Sequence, residues 1–231
     1  MFIPLSDDNP LRHVETHYVT LALIAANVLI FVFFQSGFVF PLMEASAFGF
    51  GLIPQELFGL SPASGPLGFP ETGTMFTYMF LHGGWMHLIG NMAFLWVFGD
   101  NVEDAMGHVR FFIFYLACGV LAGLAHAVFF AGSGDPLVGA SGAVAGVIAA
   151  YLILHPRVKV WVLALGRIPL RLPAFVVLGL WVAIQIFNVV APSDAPVAWW
   201  AHIGGLIAGA VLVVFMRRPG VLLFDRNLDR A

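Results

Sequence analysis

The chain has 231 residues, of which 60% are hydrophobic and only 10% charged, with a mean hydropathy of +0.93. Soluble domains carry about 25% charged residues, so the composition excludes an ordinary water-soluble fold and indicates a membrane protein. A net charge of −3 without a basic patch argues against a nucleic-acid partner, and a single cysteine, Cys118, excludes an internal disulfide and any multi-cysteine metal site.

In chain order, residues 1–17 read as a short polar tail without the basic-then-apolar order of a secretory signal. Residues 18–40 form a first apolar run. Residues 41–78 are a long connection rich in Gly, Pro and Phe, of which 48–60 suits the membrane interface. Further apolar runs cover 80–99, 111–131, 141–154, 172–191 and 198–216. Their connections are a charged loop over 100–110, a turn over 132–136, a basic segment over 155–171 and a turn over 192–196. Within the basic segment, residues 160–165 are apolar but too short to span, and read as interfacial. The expected fold is all-α: a polytopic six-helix membrane domain over 18–216, with a long first loop and a C-terminal tail over 217–231.

Six spans place both ends on one side. All ten basic residues (Arg12, Arg110, Arg157, Lys159, Arg167, Arg171, Arg217, Arg218, Arg226 and Arg230) then face that side, and none faces the other. By the positive-inside rule both termini are cytoplasmic. The lack of a targeting segment suits a bacterial plasma membrane.

Several polar side chains interrupt these runs, where such residues are costly and usually functional. Ser141 opens the fourth run in Gly139-Ala140-Ser141-Gly142. His87 and Asn91 sit one turn apart in the second run, on one helix face. His202 lies in the sixth, in Ala201-His202-Ile203-Gly204-Gly205. At the ~1.5 Å rise of a helix, His87, Ser141 and His202 each lie about 20 Å above the basic boundary, at one level. That level is roughly 10 Å below the opposite surface of a ~30 Å core. Gly205 and Gly209 follow His202, Ala145 and Ala149 follow Ser141, and Gly142-x-x-x-Gly146 runs alongside. Two such small-residue faces let helix backbones meet, which would bring Ser141 to His202. Gly119-x-x-x-Gly123 in the third run reads as plain packing.

Together these residues resemble the rhomboid family of intramembrane serine proteases. The resemblance covers about residues 80–209 and rests on Phe80-Leu81-His82-Gly83-Gly84-Trp85-Met86-His87, Asn91, Glu103-x-x-x-Gly107, Gly139-x-Ser141-Gly142 and Ala201-His202-x-Gly204-Gly205. It implies a six-helix core, Ser141 as nucleophile and His202 as general base. It also implies His87, Asn91 and the Ser141 N–H as oxyanion donors, with Gly139 preceding the nucleophile. Glu103 and Gly107 match a motif of structural character, and His82 a position that holds the first loop. The first loop contains no arginine, and Ala145 stands where many members carry an aromatic packed on the histidine. No carboxylate shares the membrane level of His202 to orient it.

The resulting expectation is a serine endopeptidase cutting transmembrane proteins at a site open to the outer face, with lipid as its surroundings and no cofactor or metal. The alternatives are a catalytically inactive membrane-protein binding factor of the same fold, or a metal or haem carrier using His82, His87, His126 and His202. The His-Glu-x-x-His pattern of zinc proteases is absent from the sequence.

Overall fold

The computed structural model describes residues 2–65, 69–164, 166–191 and 197–225. It is mostly helical: α1 (Tyr18–Ile30, continued by a π-helical turn, Phe31–Gln35), α2 (Met43–Phe50), α3 (Pro54–Leu57), α4 (Glu71–Thr77, continued by a 3₁₀ turn, Tyr78–Phe80), α5 (Trp85–Met106), α6 (His108–Phe129), α7 (Ser141–Leu154), α8 (Ala174–Val190) and α9 (Trp199–Met216). Among the described residues three helical segments are long and apolar enough to cross a membrane: Tyr18–Gln35, His108–Phe129 and Trp199–Met216. Ser141–Leu154 and Ala174–Val190 are shorter apolar helices. Large apolar side chains face outward, among them Phe187, Val190 and Phe215, each more than 65% exposed. In a lipid solvent such a surface carries no penalty, and the chain is an integral membrane protein.

The bundle centres on α7, whose residues from Gly142 to Tyr151 are all buried. Glycine makes this possible. A Cβ on Gly142 would lie 2.5 Å from the Ala122 Cβ of α6, and one on Gly209 would lie 2.2 Å from the Gly146 carbonyl oxygen. Real Cβ atoms do not approach so closely, so α6, α7 and α9 meet at backbone distance only because these side chains are missing.

The expected charged loop over 100–110 is instead helix. α5 runs on to Met106, and Gly107 alone turns the chain into α6, at a φ of 84° that favours glycine. The acidic residues that suggested a loop are used as caps. The Glu103 carboxylate is fully buried and accepts the Val19 and Thr20 N–H groups (3.0 and 2.8 Å), the Thr20 hydroxyl (2.7 Å) and His108 Nδ1–H (2.5 Å). It thus satisfies donors at the start of α1 that have no intrahelical partner. Asp104 accepts the backbone N–H groups of Arg12, His13 and Val14 in the segment that leads into α1.

A second correction concerns both the polar tail and the interfacial segment. Phe2–Asp7 (β1), Lys159–Ala164 (β2) and Ile168–Pro173 (β3) form an antiparallel sheet of order β1-β2-β3. The fold is therefore not purely helical. Residues 160–164 alternate buried Val160 and Val162 with exposed Trp161, the period-2 pattern of a strand with one face packed. Asp7 is drawn in by the Tyr151 hydroxyl, which donates to its carboxylate. Burial pushes the Asp7 pKa up to about 7. Beyond α7, burial lowers the His155 pKa to about 4. The expected turn at 192–196, Leu165, and the tail residues Arg226 and Arg230 lie outside the described residues.

The first loop is anchored without an arginine. Leu52 and Leu137 exchange two backbone hydrogen bonds (3.0 and 2.8 Å), and Glu56 accepts the Ser64 N–H and hydroxyl. Gln35 accepts the His82 N–H at 2.9 Å, and its amide reaches Ser46. The pair Gly119 and Gly123 does pack, though against this loop rather than another span. A Cβ on Gly119 would collide with Met79, and the Tyr78 hydroxyl donates to the Gly119 carbonyl at 2.7 Å.

Candidate active site

Ser141 and His202, 61 residues apart, meet between α7 and α9: Ser141 Oγ lies 2.8 Å from His202 Nε2. Ser141 is the first residue of α7, so its backbone N–H is among those that helix geometry leaves without an intrahelical acceptor. The approach to it is constrained. Gly139 has a φ of 127° and donates its N–H to the Tyr78 carbonyl at 2.9 Å. A Cβ on Gly139 would lie 2.6 Å from His87 Cε1, so the His87 ring rests directly on this backbone. His87 therefore reaches the strand of chain that delivers Ser141.

Asn91, one turn further along α5, is buried. Its Nδ2 has no hydrogen-bond partner among the described residues. A buried amide donor left free is expensive, which leaves Nδ2 available to an acceptor outside the protein. His82 is fully buried with its ring edge-on to His87, at 5.1 Å between centroids. Glu103 and Gly107 lie at the other end of α5, in the capping roles above, and touch none of these groups.

One residue escaped the sequence reading. Gln185 of α8 is 3% exposed, and its Oε1 lies 2.8 Å from His202 Nδ1. Its amide nitrogen donates to the Trp181 carbonyl at 2.9 Å. The signal was available: Gln185 and Asn188 are the only polar side chains in the otherwise apolar α8, and an intramembrane polar residue calls for a partner. The aromatic absent at position 145 is also replaced. Trp181 and Trp199 flank the His202 ring at 5.8 and 5.9 Å between centroids, the latter edge-on.

Comparison with known proteins gives the chain's family. A family model described as the rhomboid domain matches residues 70–219. The chain belongs to the rhomboid family. Among its relatives are the rhomboid protease GluP of Bacillus subtilis (strain 168), 31% identical over 68% of this chain and 29% of its own length. RHOMBOID-like protein 1 of Arabidopsis thaliana is 27% identical over 81% of the chain and 46% of its own length. Rhomboid-like protein 11, chloroplastic, from the same plant is 32% identical over 71% and 59%. The chain thus spans between 29% and 59% of the length of these relatives.

Proposed function

We propose that this chain is an intramembrane serine endopeptidase that hydrolyses peptide bonds in or near transmembrane segments of other membrane proteins. The observation that carries the reading is the 2.8 Å contact of Ser141 Oγ with His202 Nε2. His202 takes the Ser141 proton as Oγ attacks the scissile carbonyl. Negative charge collects on the carbonyl oxygen. Asn91 Nδ2, His87 and the Ser141 N–H donate to it, and each such donor is worth about 10²–10³ in kcat. His202 then protonates the leaving amine, and water attacks the acyl-enzyme to release the second product. A substrate helix must unwind locally to expose its amide, so helix-weakening residues are expected beside the cleaved bond.

The reading sets both termini on the cytoplasmic face and the site toward the outer one, as the one-sided distribution of basic residues supports. A bacterial plasma membrane fits this orientation.

Purified parent protein in detergent or liposomes should cleave a transmembrane test substrate and react with a serine-directed fluorophosphonate. Ser141→Ala should do neither, and the Ser141→Ala/His202→Ala double variant should be little worse than either single one, because the pair acts as a unit. Cleavage that persists in Ser141→Ala sinks the mechanism. A folded parent that takes no probe and cuts nothing points instead to a non-catalytic binding protein.

A further inference from the structure

We propose that Gln185 is the third member of the site, a positioning residue that fixes the tautomer of His202. The inference rests on the reading of Ser141 and His202 as nucleophile and base. Neutral imidazole carries one N–H and one lone pair, and only the tautomer with a lone pair on Nε2 can accept the Ser141 proton. The side chain facing Nδ1 decides which is populated.

That side chain is unambiguous in its polarity. Gln185 Nε2 lies 2.9 Å from the Trp181 carbonyl oxygen, which can only accept. The amide nitrogen is therefore committed to Trp181, and Oε1 faces His202 Nδ1 at 2.8 Å. An amide oxygen also can only accept, so Nδ1 must be the donor. Nε2 keeps its lone pair, and the Ser141 hydroxyl, 2.8 Å away, donates to it. The chain of donors runs from Ser141 through His202 and Gln185 to the Trp181 carbonyl. Trp181 and Gln185 are one turn apart on α8, so the acceptor is held by a rigid helix. Gln185 is also 3% exposed, which keeps water from competing for Nδ1.

When His202 takes the proton, the same oxygen supports the Nδ1–H of the imidazolium. It does so without the negative charge of a triad carboxylate, which would be costly at this depth. His87 on α5 and His126 on α6 are the other titratable groups near His202, and Gln185 is the polar contact from α8.

The test has two arms. In the first, ¹⁵N-histidine spectra of the detergent-solubilised parent should show His202, assigned by its loss in His202→Ala, as the Nδ1–H tautomer. Gln185→Leu should show a mixture. This arm needs no catalysis, so it stands even if the protein cleaves nothing. In the second, Gln185→Leu should lower kcat about 10- to 100-fold with KM within about twofold, since Gln185 does not contact substrate. The acidic limb of its kcat/KM profile should move to lower pH, because an unsupported imidazolium forms less readily. Gln185→Glu keeps an acceptor and should recover most of the rate. Its added negative charge favours the imidazolium, so its acidic limb should move to higher pH. A merely structural role would not move these limbs in opposite directions. The proposal is overturned by a parent whose His202 carries its proton on Nε2, or by a folded Gln185→Leu with parental kcat and pH profile. Should Gln185→Leu not fold, the parent spectrum and Gln185→Glu still decide.

Discussion

A Cβ placed on Gly205 would lie 1.9 Å from the carbonyl oxygen of Gly142. The obstacle is backbone, so it cannot swing aside as a side chain would. Gly205→Ala must push α9 away from α7, and His202, one turn before Gly205, moves with it. Overpacking costs about 1–3 kcal/mol, and a displacement near 1 Å at a reacting pair costs about 10²-fold in rate. The variant should lose both thermal stability and at least that much kcat/KM. Gly179→Ala is the control: nothing lies within 4 Å of its Cβ position, so it should be neutral or slightly stabilising. Parental Tm and rate in Gly205→Ala would show that α7 and α9 do not pack this way.

Asn91→Ala removes a buried amide whose Nδ2 has no partner among the described residues. The folded protein loses no hydrogen bond from that atom, so Tm should change little, while kcat should fall about 10²–10³-fold with KM nearly unchanged. Cleavage at the parental rate would remove Asn91 from the oxyanion site.

The proposed membrane orientation rests on charge and can be read with thiols. In a Cys118→Ser background, a cysteine at Ser64, exposed in the first loop, should react with an impermeant reagent on intact cells. One at Ser6, exposed on β1, should react only after the membrane is opened. Labelling of the Ser6 position in intact cells would reverse the assignment.

Two groups beneath the bundle make opposed contributions to stability with pH. Asp7 has a folded pKa of about 7 against an ordinary 3.8. Between those values the folded state holds the extra proton, so the Asp7 contribution is lost as pH rises from 3.8 to 7. His155 has a folded pKa of about 4 against 6.5, so the unfolded state holds the extra proton and its contribution is lost as pH falls from 6.5 to 4. Relative to the parent, Asp7→Asn should gain stability with rising pH across 4–6.5, and His155→Gln should lose it. Unfolding scans in detergent across the window decide it, and unchanged profiles in both variants would contradict these environments.

The sequence by itself determined that the protein lives in lipid, because 60% apolar residues with 10% charge cannot be dissolved otherwise. It also picked out Ser141, His202, His87 and Asn91, because a polar group inside an apolar helix stands out against its neighbours. The small-residue faces of α7 and α9 were legible for a similar reason: glycine at a repeated spacing has little use except close approach.

Other features depended on partners distant in the chain. Glu103 and Asp104 looked like loop residues because a charge at a helix end is indistinguishable in sequence from one beyond it. Only the chain packing alongside gave them partners, the start of α1 for Glu103 and the segment before it for Asp104. β1 could not be read from six residues at the head of a polar tail, since a strand is stabilised by neighbours, and its partner lies more than 150 residues away. Gln185 was one amide in an apolar helix until α8 packed against α9. Its meaning lies in the direction of two hydrogen bonds, to Trp181 and to His202, and bond direction belongs to the tertiary structure alone.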